Sequence, residues 1–189
     1  MMAEEAVEMV EVKAGEKKVL MVIAARNFRD EEYFHPKQVF LNHGLAVVTA
    51  STEREAVSKF GARVKADWKI HEVSAGDYSA VVFVGGSGAS VFFHDHAALE
   101  LAKAFFAAGK AACAICIGPS VLANAGVLQG KRATCFEGEA ENLKAHGAQY
   151  TGEPVTVDGN IVTANGPLAA KEFGEAVVKA ILSLNPPIS

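Results

Sequence analysis

Residues 111–119 read AACAICIGP, and what a cysteine does at position 116 of that stretch decides how the chain is folded. Ala111 to Ile115 form a short apolar run with the character of a strand buried on both faces. Pro119 suits the first turn of a helix, where a missing N–H costs nothing. Cys116 is therefore placed at a strand-to-helix corner, beside the first free backbone N–H groups of the helix, where partial positive charge favours an anion. A thiolate is an anion, and a free thiol near ~8.5 is expected to fall by a unit or more there.

The same pattern repeats outward from this corner. Upstream, KKVLMVIAA is a strand buried on both faces, Asp30 to Asn42 reads as a helix with Gly44 just past its end, and LAVVTAS is a second strand. SAVVFVGGSGAS is an apolar strand running into glycines, followed by a helix from about Asp95 to Ala108. Downstream come a short helix in GPSVLANAG, a strand in KRATC, a polar helix near Glu137 to Ala145 and a hairpin in EPVTVDGNIVTA turning at Asp158-Gly159-Asn160. PLAAKEFGEAVVKAILSLN carries apolar residues at helical spacing and closes the fold. Glu53 to Ser74 reads only as short extended pieces joined by turns.

Strands alternating with helices imply an α/β fold, a doubly wound, mostly parallel sheet with helices on both faces, a flavodoxin-like sandwich. Ligands in such sheets bind beyond the carboxyl ends of the strands. The acidic cluster after the first strand, the glycines after VVFV and Cys116 all fall at that edge. A length of 189 residues fits one domain, over 17–189, behind an acidic leader over 1–16 that is expected to be flexible.

Composition narrows the function. The net charge of -4 leaves no broad basic face for nucleic acid. The leader lacks the basic start and apolar core of a secretory signal, and no run is long enough to span a bilayer. Three cysteines without a framework of spacings point to a reducing compartment, the cytoplasm. Cys113 and Cys116 form a C-x-x-C, but one that lies across the strand with Cys113 buried, which is not where a redox dithiol sits.

AICIGPSVLANAGVLQGKRAT, VVFVGGSGA, DEEYFHP and VDGNIVTANGP, four separated motifs in order, resemble the ThiJ/PfpI superfamily over Lys17 to Leu184. That superfamily includes the parkinsonism-associated deglycase and archaeal intracellular peptidases. The resemblance implies that Cys116 is the nucleophile on a strained turn and that Glu32, four residues before Pro36, is the carboxylic acid beside it. Physics then requires Glu32 to stay protonated and donate to sulfur, because two negative charges side by side would oppose the thiolate. Glu31 is its exposed neighbour.

By the same resemblance Gly85 and Gly86 bring a backbone N–H toward the cysteine. The N–H groups of Gly86 and Ile117 would together form an oxyanion hole. Pocket-lining candidates are Gly85, His94, Cys135 and, in the late motif, Asn165. Three departures matter. Ile117 stands where the peptidase branch has a histidine, and isoleucine moves no proton. TANGPLAAKEF replaces the late His-x-Glu of glutamine amidotransferases. Cys135 and Phe136 occupy the place of a histidine in the deglycase branch.

No metal site is expected. His94, Asp95 and His96 are adjacent and point different ways, so Asp95 is read as a helix cap. GGSGAS lacks the lysine of a nucleotide loop, and no cofactor is expected. The leading expectation is a cofactor-free cysteine enzyme acting on a small carbonyl substrate, a 2-oxoaldehyde converted to a 2-hydroxy acid, and the resemblance implies a homodimer. The alternative is an oxidative-stress sensor or chaperone that works through oxidation of Cys116 to a sulfinate. An intracellular peptidase or amidase ranks third.

Overall fold

The computed structural model describes residues 17–184, so the leader expected over 1–16 lies outside the described residues. In chain order the first half holds β1 (Lys18–Val22), β2 (Arg26–Phe28), α1 (Asp30–Asn42), β3 (Ala46–Ser51), β4 (Glu55–Ser58), β5 (Arg63–Lys65), β6 (Trp68–Lys69) and β7 (Ala80–Phe83). The second half holds α2 (His96–Ala107), β8 (Ala111–Ile115), α3 (Pro119–Asn124), β9 (Arg132–Ala133), α4 (Ala140–Ala145), β10 (Gln149–Tyr150), β11 (Val155–Asp158), β12 (Ile161–Ala164) and α5 (Ala170–Leu184).

Seven strands form one sheet in the order β11-β12-β8-β7-β1-β3-β6. All neighbours in it are parallel except the β11–β12 hairpin. Successive side chains of a strand point to opposite faces, which is why the apolar runs need cover on both sides. Leu20, Val22, Val81, Phe83, Ala112 and Ala114 pack on one side with Leu101, Phe105 and Leu122 of α2 and α3. Val19, Met21, Val82, Cys113 and Ile115 pack on the other with Phe40, Phe173 and Val177 of α1 and α5. The doubly wound α/β sandwich is the observed fold. Among the described residues no helix is long and apolar enough to cross a membrane.

Two readings need correction. KRATC shrinks to the two-residue β9, which pairs with β10 outside the main sheet. Thr134 explains the truncation. Its N–H donates to Thr163 Oγ1 and its hydroxyl to the Glu153 carbonyl, so side-chain bonds replace a ladder. The polar helix near Glu137 opens as a 3-10 turn over Glu137–Glu139, and α4 starts only at Ala140. The stretch after Glu53 forms β4 and β5, which join β2 in a three-stranded sheet, and β6 at the edge of the main one.

Candidate active site

β7 lies between β1 and β8, so the segments leaving the carboxyl ends of these three strands meet. Cys116 follows β8 directly with φ 64, a left-handed conformation that a non-glycine residue adopts at a cost of about 1–3 kcal/mol. The turn is held on both sides. Cys116 N–H donates to the Ala164 carbonyl at 2.9 Å, its own carbonyl accepts from Phe136 N–H at 2.8 Å, and Gly118 N–H returns to the Ile115 carbonyl at 2.9 Å. Pro119 opens α3, as read from the sequence.

Glu32 sits in the first turn of α1 and is 0% exposed. Neither of its carboxyl oxygens closes a hydrogen bond of full geometry among the described residues. The Cys116 thiol and the Gly85 N–H nevertheless lie toward it. Gly85 is what permits the approach, because a Cβ there would stand 2.5 Å from Glu32 Oε1, 2.6 Å from Cys116 Cβ and 2.7 Å from the Ile115 oxygen. Gly86, at φ 98, has Arg29 N and Asn27 O where a side chain would begin. The N–H groups of Gly86 and Ile117 both face the Cys116 sulfur. They are the pair of donors that the sequence suggested for an oxyanion.

Burial pushes the Glu32 carboxyl up to about 7, with the Cys116 thiol, the Arg29 charge and the Gly85 N–H offsetting only part of the rise. Burial also pushes the Cys116 thiol up, to about 12, with the Glu32 charge adding to the rise and the two N–H groups offsetting only part of it. The thiol depressed by a helix end alone is therefore not what this corner supplies. Thiol and carboxyl act as one titrating unit that gives up its first proton near neutrality.

The raised carboxyl has a consequence for stability. An unfolded glutamate ionises near 4.5, while folded Glu32 holds its proton to about 7, so the folded state binds more protons between those values. Stability is fullest below 4.5 and falls as pH rises through 7, by about 3 kcal/mol in all. Urea denaturation at pH 4 and pH 8 should show the wild type losing about 3 kcal/mol more than Glu32→Gln. Equal losses in the two proteins would mean that residue 32 is solvated.

A cavity of about 450 Å³ opens over Cys116. Glu32, Gly86, Cys116 and Ile117 line it, with Gly85 packed beneath. Phe136, named from sequence with Cys135, lines it too, as do Asn27, Arg29 and Lys59, none of which was singled out from sequence. His94 is exposed and does not line it, while Asp95 caps α2 through Ala98 N–H. Asn165 is also absent from its wall, and its N–H bonds the Pro154 carbonyl. Cys135 is 1% exposed and its thiol is raised to about 12 by burial, so the chain reaches the cavity at its neighbour Phe136 instead.

Residues 17–180 match the DJ-1/PfpI family. An uncharacterized protein of Methanocaldococcus jannaschii is 46% identical over 168 residues, covering 87% of this chain and 82% of its own. Deglycase PfpI of Pyrococcus furiosus is 32% identical over 149 residues, covering 78% of this chain and 90% of its own. A crystal structure of a ThiJ/PfpI domain protein from Brachyspira murdochii superposes with a TM-score of 0.87 at 37% identity, covering 90% of this chain and all of that one.

Proposed function

The chain belongs to the DJ-1/PfpI family, and on that premise we propose that it is a cysteine enzyme converting small 2-oxoaldehydes, such as methylglyoxal, to 2-hydroxy acids. One observation carries this reading: a thiol, a carboxyl that titrates near neutrality and two backbone N–H donors face one cavity. The Cys116 sulfur adds to the aldehyde carbon, forming a C–S bond, while the N–H groups of Gly86 and Ile117 hold the oxygen that becomes negative. That oxygen takes the Glu32 proton, and the resulting carboxylate removes the proton from the same carbon and returns it to the neighbouring carbon while the hydroxyl proton passes to the neighbouring oxygen, so that one carbon is oxidised as the other is reduced. Water then cleaves the thioester, releasing the 2-hydroxy acid and regenerating the thiol. No outside oxidant or reductant is consumed.

A carboxyl near 7 suits this work, because it can both take and give a proton at neutral pH. Ile117, where a histidine would serve a peptidase, supports an isomerising reaction over amide cleavage, which needs an acid for the leaving amine. Incubation with methylglyoxal should yield lactate, and Cys116→Ser should lower the rate at least about 100-fold. Equal lactate from both proteins would remove this reading. Two oxygens gained selectively at Cys116 under mild peroxide, with no lactate formed, would favour the sensor instead.

A further inference from the structure

We propose that the cavity over Cys116 selects carbonyl compounds that carry a carboxylate, with Lys59 and Arg29 as the groups that hold it. The inference deepens the reading above and rests on it for the carbonyl chemistry. A three-carbon neutral aldehyde needs neither cation and fills little of about 450 Å³, a volume within the range of about 300–1,000 Å³ that takes far larger ligands.

Lys59 follows β4 and is exposed, and among the described residues its ammonium forms no ion pair. It lies 5.5 Å from the centre of the Phe60 ring, and the Arg29 guanidinium lies 5.2 Å from the same ring. Phe60 thus gathers both cations beside one opening. Asp30 holds the loop in place, because Ser58 Oγ donates to its Oδ1 and Phe60 N–H to its Oδ2.

Arg29 gives only its Nε to Glu31, at 2.6 Å, and its remaining guanidinium N–H donors have no acceptor among the described residues. Glu31 is held ionised by that bond, so the Arg29–Glu31 pair is neutral as a whole. Asp30 is engaged by Ser58 Oγ and Phe60 N–H, which leaves the Lys59 ammonium and the free guanidinium donors of Arg29 as the groups open to an anion. A planar carboxylate suits that pair, with two parallel N–H bonds from the guanidinium and the ammonium beside it.

The test needs no turnover. Iodoacetate and iodoacetamide differ by one charge, and each alkylates a thiolate by displacing iodide to form a C–S bond. Cys113 and Cys135 are sealed, at 0% and 1% exposure, so labelling of the folded chain located by mass reports Cys116. The ratio of iodoacetate to iodoacetamide rates should be at least about fivefold higher in the folded chain than in the same chain unfolded in urea. It should collapse in Lys59→Met, persist in Lys59→Arg and shrink in high salt.

A folded ratio no greater than the unfolded one, or one that Lys59→Met leaves unchanged, overturns the proposal. The reading it rests on fails separately. Lactate formation with no Lys59-dependent ratio removes the subsite alone. A Lys59-dependent ratio without lactate keeps the subsite and removes methylglyoxal as substrate.

Discussion

Gly85→Ala is expected to lower both the alkylation rate of Cys116 and the turnover of methylglyoxal at least about 100-fold, although the substitution adds one methyl group. The added carbon would meet Glu32 Oε1 at 2.5 Å, Cys116 Cβ at 2.6 Å and the Ile115 carbonyl oxygen at 2.7 Å. Only the first is the far end of a side chain. The other two belong to the end of β8 and to the corner, and that corner is pinned by bonds to Ala164 and Phe136. Something in the constellation has to move, and a displacement near 1 Å is enough for a loss of that size. Overpacking should also cost about 1–3 kcal/mol of stability. Gly76→Ala is the matched control: nothing stands within 4 Å of its added carbon, and stability should stay within about 0.5 kcal/mol. Normal alkylation in Gly85→Ala would show that carboxyl and thiol do not need their close approach.

The strand ends that build this constellation were legible because long apolar runs and corner residues carry their own signals. β1, β7 and β8 read directly as buried strands, and Gly-Pro after Cys116 marked where the last of them turns. Chain order then fixed which ends meet. The opposite wall of the cavity was not legible. Lys59 arrives there because β2, three residues long, pairs with β4, and a run that short has no periodicity to read. Arg29 and Asn27 lie on the link between β1 and α1, where side-chain direction depends on Asn27 adopting φ 58. His94 was singled out by its place in FFHDH, yet its side of the molecule turns to solvent once Asp95 caps α2. Electrostatics was half legible. Backbone N–H groups do face the sulfur, but they are those of Gly86 and Ile117 and not of the first turn of α3, and how deeply the corner is buried follows from packing that no local pattern reports.

Glu32→Gln is expected to cut the alkylation rate of Cys116 at pH 7 at least about tenfold, and methylglyoxal turnover about 10²- to 10⁴-fold, in a protein whose stability depends less on pH between pH 4.5 and 7. In the wild type the pair loses its first proton near pH 7, and the proton that stays can sit on either partner. Two N–H groups face the sulfur, while neither oxygen of the carboxyl closes a full hydrogen bond. Charge is better accommodated on sulfur, with the acid neutral beside it. Glutamine cannot hold that proton, so the thiol must ionise alone against burial, and the half-point of alkylation against pH should move up. The opposite arrangement, carboxylate beside thiol, predicts the opposite result: glutamine would remove a repelling charge and alkylation would speed up. The direction of the change therefore decides which partner carries the charge, and a faster Glu32→Gln would overturn the assignment of Glu32 as the neutral acid.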